Sequence, residues 1–172
     1  MSDEACVEFC RSARPRLVGA LGLYLDDAAR AEEVAQDALV RAWERWDRVA
    51  AMARPEAWLY RVAFNLARTS LRRSAAERRA HVRTGRPEEA YVLPDTPDAV
   101  AVRAALAGLP ARQRAAVVAR FYAGLDVAGA AVALGCAEGT VKALTHQAIE
   151  RLRAAGLGHD DEELEHDGRP RG

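Results

Sequence analysis

Arg61, Asn65, Arg68 and Arg72 follow one another at intervals of four, three and four residues, with Trp58 three positions ahead of the first. On a helix advancing about 100° per residue, such intervals place the cations and the amide on one stripe, with the indole at its edge. Guanidinium groups pair with phosphates, an amide can read a base edge, and an indole can stack on an unpaired base. The mixture suits an opened, single-stranded nucleic acid. A solvated arginine face with Trp58 turned into the core would account for the same residues.

A second constellation is Val127 to His146, VAGAAVALGCAEGTVKALTH. Ala131 is small enough for two helices to cross closely, Gly135 sits where the chain reverses, and Val141 returns a β-branched residue to the shared core. The spacing reads as a helix-turn-helix. Its second helix would begin near Ala137 and project Glu138, Gly139, Thr140, Lys142, Ala143 and His146 toward a major groove. The uncapped N–H groups of its first turn would face a phosphate. A plain helical hairpin is the alternative. Lys142 is the only lysine of the chain.

The third is a face on which Glu32, Glu33, Gln36, Asp37 and Arg41 gather beside the apolar Val40. It could dock a partner helix, or be solvated, since acids near a helix start are favoured by the macrodipole in any case. No nucleophile–base pair, metal-ligand set or phosphate-cradling glycine loop accompanies these groups, so no catalytic residue, metal or cofactor is expected. Cys6, Cys10 and Cys136 are odd in number and read as reduced packing thiols.

The elements that must carry these groups are helices throughout, because apolar residues recur at three and four and no alternating pattern persists. The fold class is all-α. Ala31, Val34, Ala35, Ala38, Leu39, Ala42, Trp43 and Trp46 form one stripe after a capping Asp26-Asp27. A helix from Pro55 should bury Leu59, Val62, Ala63, Leu66 and Ser70. An earlier one holds Val7, Cys10, Leu17, Leu21 and Tyr24, with Pro15 as a potential break. Pro110 is placed for the first turn of a later helix.

Residues 81–98 hold Gly85, Pro87, Pro94 and Pro97 in a polar stretch that reads as a flexible linker. The chain thus divides into a helical domain over 1–80, the linker, a second helical domain over 99–157, and an acidic, disordered tail over 158–172. Charges are uneven: eight arginines between Arg61 and Arg86 face one Glu77, while six acids crowd 160–167, and the totals cancel at 25 each. No apolar run reaches 18 residues and no basic-then-apolar leader opens the chain, so a cytoplasmic protein with no membrane contact is expected.

Two blocks, AEEVAQDALVRAWERWD with RPEAWLYRVAFNLARTSLRR, and LPARQRAAVVARFYAGLDVAGAAVALGCAEGTVKALTHQAIERLR, resemble the extracytoplasmic-function sigma factors of bacterial RNA polymerase, of the actinobacterial sigma-E-like kind. The resemblance spans Phe9 to Arg153. It implies a first domain (region 2) whose Glu32, Glu33, Gln36, Asp37 and Val40 bind the polymerase clamp coiled coil. Its Trp58, Arg61, Asn65, Arg68, Arg72 and Arg73, with the loop Val49 to Arg54, would capture an opened minus-ten element, Asn65 lying near a flipped base. It implies a last domain (region 4) whose Glu138, Gly139, Thr140, Lys142, Ala143 and His146 read the minus-thirty-five duplex and which leans on the polymerase flap.

Core RNA polymerase and promoter DNA are the implied partners, and an anti-sigma factor a further one. Thr69, Gly129, Leu144 and Gln147 depart from the family, standing where aspartate, glutamate and two arginines are usual. The residues alone also admit a free-standing helix-turn-helix regulator and a helical interaction module without DNA.

Overall fold

Small residues on successive turns decide how closely these helices approach, and alanine is the commonest buried residue where they cross. The computed structural model describes residues 2–80 and 96–157. Most of the expected linker and the whole acidic tail lie outside the described residues.

Eight α-helices are described: α1 (Ser2–Leu25), α2 (Ala28–Glu44), α3 (Trp46–Ala50), α4 (Pro55–Ala80), α5 (Pro97–Ala107), α6 (Ala111–Val117), α7 (Val127–Leu134) and α8 (Glu138–Ala154). A π-helical turn, Val118–Tyr122, continues α6. There is no strand among the described residues.

Pro15 does not break α1, which runs through it. Pro15 is exposed, so the carbonyl it leaves without an amide partner faces water, while Leu17, Leu21 and Tyr24 anchor the helix from its buried side. Asp27 caps α2 as expected, accepting from the Arg30 amide at 2.9 Å.

The stripe on α2 buries Ala31, Val34, Ala35, Ala38 and Ala42, but Trp43 is 50% exposed. Its position one step, about 100°, past Ala42 carries it off the buried face. Trp46 packs instead on Phe9, with ring centroids 5.2 Å apart. Val49 and Ala50 belong to α3, not to a loop; the sealed Val49 side chain pulls that turn into the core.

The buried face of α4 is wider than expected. Leu59 and Ala63 are sealed, Val62, Leu66 and Ser70 are only half-buried, and Ala57, Tyr60, Phe64 and Ala67 are buried as well. The cause is a second neighbour: α4 packs on α1 and α2 on one side and on α7 on the other. Pro110 precedes α6 as its N-cap rather than opening it. Pro97 opens α5, so this helix starts inside the expected linker; Thr96 caps it, accepting from Ala99 N at 3.2 Å.

One apolar cluster runs from Leu17, Leu21 and Tyr24 through Leu59 and Phe64 to Ala130, Ala133 and Val141. The two halves expected from the sequence therefore share a core. A smaller cluster of Leu106, Leu109, Val117 and Ala148 closes the far side of the second half.

Candidate nucleic-acid interface

Each element of the helix-turn-helix is set by local chemistry. Asp126 opens α7, its carboxylate accepting from Gly129 N at 2.7 Å. Gly135 ends α7 at φ +64°, the left-handed conformation that a glycine adopts without strain, and turns the chain toward α8. Val141 is fully buried behind that turn, with Ala130 and Ala133. Ala131, expected at the tight crossing, is only half-buried.

On α8, Glu138, Gly139, Lys142, Ala143 and His146 are exposed and Thr140 is half-buried. Ala137 offers no side-chain cap, so the first-turn amides remain open to a ligand. The positive charge here is thin: His146 Nε2 stands 3.3 Å from Glu150, leaving Lys142 as the one strong cation among the six expected contact positions. Two departures noted above are tied into the fold. Gln147 Oε1 accepts from Gln113 Nε2 at 3.2 Å, and Leu144 turns toward α4.

Along α4 the cationic stripe stays exposed throughout, at Arg61, Asn65, Arg68 and Arg72, although its first member turns toward α7. Arg68, Arg72 and Arg73 are exposed, and Arg68 Nη2 donates to Asn65 Oδ1 at 2.9 Å, holding the amide in the stripe. Trp58 is half-buried against the shared core, which leaves one edge for stacking. Arg61 instead reaches the C-terminal end of α7, its Nη1 3.5 Å from the Val132 carbonyl, where a guanidinium is favoured by the helix dipole. Asn65, Arg68 and Arg72 border a groove of about 330 Å³ whose opposite wall is Leu134, Cys136, Leu144 and Arg112. Arg112 had no sequence signal beyond its charge.

Arg54, expected only as the end of the minus-ten loop, has a partner that sequence reasoning missed. It makes a two-pronged bridge to Asp126, Nη1 to Oδ1 at 2.8 Å and Nη2 to Oδ2 at 3.2 Å, joining the start of α4 to the start of α7. The Gly129 amide first, and Arg54 second, hold the Asp126 carboxyl below the usual carboxylate range. A lowered value means that the bridge is intact at neutral pH and is lost as acid protonates the carboxylate.

Glu33, Gln36 and Asp37 are exposed on α2, with Val40 48% exposed beside them and Trp43 one turn on. Glu32 is half-buried and accepts from Arg14 Nη2 at 2.6 Å, so it is the least free of the docking set. No group of three or more potential metal ligands occurs among the described residues. No single helix among them is long and apolar enough to cross a membrane.

Comparison with known proteins matches this arrangement piece by piece. The profile described as Sigma-70 region 2 matches residues 9–77, and that described as Sigma-70, region 4 matches residues 99–152. The chain is 42% identical over 135 residues to the ECF RNA polymerase sigma factor SigL of Mycobacterium tuberculosis, covering 74% of this chain and 75% of that one. It is 31% identical over 157 residues to the RNA polymerase sigma-E factor of Streptomyces coelicolor, covering 89% and 86%. Among solved structures, the sigma factor RpoE of Bartonella quintana, crystallised with the anti-sigma factor NepR, superposes with a TM-score of 0.76 at 24% identity, over 90% of this chain and 97% of that one. CnrH, in complex with the cytosolic domain of CnrY, superposes at 0.64 and 22% identity, over 88% and 87%.

Proposed function

Because the chain belongs to the extracytoplasmic-function sigma factors, carrying sigma-70 regions 2 and 4 in order, we propose that promoter DNA is read at two points, α4 and α8, and that α2 holds the polymerase. As a sigma factor it binds core RNA polymerase and directs promoter recognition and initiation, which sets aside the free-standing regulator. It contributes no catalytic step of its own and acts in the cytoplasm.

The observation that carries the two-point reading is the presence on one chain of two unlike surfaces. One is a helix bearing exposed Arg68, Arg72 and Arg73 with an amide and a half-buried indole; the other is a helix-turn-helix with open first-turn amides. In the minus-ten contact, Trp58 and Asn65 take unstacked bases while Arg61, Arg68, Arg72 and Arg73 neutralise phosphates. Unstacking costs a few kcal/mol and is offset only by such a pocket. In the minus-thirty-five contact, Glu138, Gly139, Thr140, Lys142, Ala143 and His146 meet the duplex. With one strong cation there, this is the weaker of the two contacts, and joint tethering on polymerase raises the effective concentration of each. Glu32, Glu33, Gln36, Asp37 and Val40 present the polymerase-docking face. An anti-sigma factor that hides these faces is a further partner in this reading.

The test is reconstitution with core polymerase. A stable complex and promoter-dependent transcripts are expected, with Asp37→Arg losing the complex and Asn65→Ala keeping the complex but losing strand opening. Retention of full transcription by Asn65→Ala and Arg68→Ala together would remove α4 from the minus-ten contact.

A further inference from the structure

Cys6 and Cys10 belong to neither DNA surface nor to the docking set on α2, yet they form a pair. They lie four residues apart on α1, Cys6 1% exposed and Cys10 half-buried, where that helix packs on α2 and α3. At this interval two side chains are neighbours along one stripe, their Cβ atoms about 5–6 Å apart. The thiols are turned toward each other: Cys10 donates a hydrogen bond to Cys6 Sγ.

That spacing separates two kinds of sulfur chemistry. A disulfide needs Cβ atoms about 3.5–4.5 Å apart, so the pair does not close one while α1 stays helical. A first-row ion binds thiolate at about 2.3 Å, and two such bonds span up to about 4.6 Å between the sulfurs. The pair is spaced for a bridging ion. Access comes from a cavity of about 500 Å³ that Cys6 lines together with Asp3, Trp43, Arg45 and Trp46.

The surroundings decide which ion. Among the described residues no group of three or more His, Cys, Asp and Glu could share a metal, which sets aside zinc, whose structural sites take four ligands. Magnesium and calcium want six or more oxygens. A soft ion satisfied by two sulfurs remains, and thiolates select cuprous copper. We propose that Cys6 and Cys10 form a two-coordinate site for cuprous ion, entered from the cavity that Trp43 lines. Binding breaks two S–H bonds, forms two Cu–S bonds and releases two protons, with no change of oxidation state.

The site adjoins the docking face without belonging to it, since Trp43 lines the cavity and stands three residues past the exposed Val40. It is independent of how promoter DNA is read. Because Trp43 and Trp46 share the cavity with Cys6, the indoles report its occupancy. Arg11 is exposed and one residue beyond Cys10, so a thiol moved there is carried about 100° round the helix and away from Cys6.

The full chain carrying Cys136→Ser, which leaves only these two thiols, is titrated without oxygen with cuprous ion supplied from a competing chelator. One ion per chain is expected, with two sulfur neighbours by X-ray absorption and a fall in tryptophan emission that tracks binding. Cys10→Ser and Cys6→Ala should each weaken binding by at least about a hundredfold, the share that a second tethered ligand adds. Arg11→Cys added to Cys10→Ser restores the number of thiols but should not restore binding, and ion-free circular dichroism melts verify that each variant is folded. No binding against the chelator, equal binding by the moved thiol, or a third sulfur from an ion shared between chains each overturns the site. So does a Cys6–Cys10 disulfide formed on mild oxidation with helix content intact.

Discussion

Val141→Ala examines whether the helix-turn-helix is built into the same core as the rest of the chain. Val141 is fully buried, in a cluster that also contains Leu59, Ala63 and Phe64 of α4. The change removes two methyl groups, about 1.6 kcal/mol of transfer free energy. A residual cavity of roughly 40 Å³ at about 24 cal/mol per Å³ adds about 1 kcal/mol. The sum, about 2.5 kcal/mol, is a large part of the stability of a small protein and corresponds to a fall of roughly 5–10 °C in melting temperature for a folded unit of this size. Differential scanning calorimetry and urea unfolding followed at the tryptophans supply the reading, because all three tryptophans, Trp43, Trp46 and Trp58, lie in the first half. With a shared core, their transition shifts with the global one. A tryptophan transition that stays at the parental temperature while a second transition moves down would refute the shared core, and a loss below about 0.5 kcal/mol would refute the burial of Val141.

Other outcomes follow from single side chains. Arg72→Ala should lower the salt slope of strand binding by the polymerase complex by about 0.7, the share of one phosphate on a single strand; an unchanged slope would detach Arg72 from the backbone. Tyr60 carries a buried hydroxyl without a hydrogen-bond partner, and burial pushes its phenol well above the usual range. Tyr60→Phe should therefore leave thermal stability unchanged or raise it by up to about 1 kcal/mol, and a loss beyond 2 kcal/mol in the same melt would show a bond the geometry does not contain. Burial first, and the neighbouring Cys6 second, push the Cys10 thiol up to about 11. A raised thiol pKa means that the thiolate forms only in strong alkali, so iodoacetamide labelling of Cys10, followed by mass spectrometry, should be about a thousandfold below its plateau at pH 8 and rise toward pH 11. A midpoint near 8.5 would contradict the burial.

Much of this was legible in the chain because it depended on local spacing. The caps at Asp27 and Gly135, the start of α8 after Ala137, and the α2 stripe follow from intervals of three and four and from residues with special backbone or capping chemistry. What escaped were contacts between elements far apart in sequence. Arg54 and Asp126 are separated by 72 residues, and Arg114 and Tyr24 by 90, so no periodicity links them. Trp43 was assigned to the core by its apolar character, although its angle already carried it outward. Tyr60 and Phe64 were passed over because a helix was expected to bury one face, and α4 buries two. The spacing predicts the helical face on which Arg61 lies, yet its partner at Val132 depends on how the halves meet.

The π-helical turn at Val118–Tyr122 sets the phase of everything after it. Widening one turn of helix accommodates an additional residue and delays the angular advance of the chain by that step. The delay is what leaves Phe121 63% exposed and sends Tyr122 inward onto Gly19. Deleting one residue there would restore a regular helix and swing the rest of the chain round by about 100°, carrying Asp126 away from Arg54 and α7 away from α4. The meeting of the two halves is therefore a matter of rotation fixed within five residues. Sequence length is least negotiable at that turn.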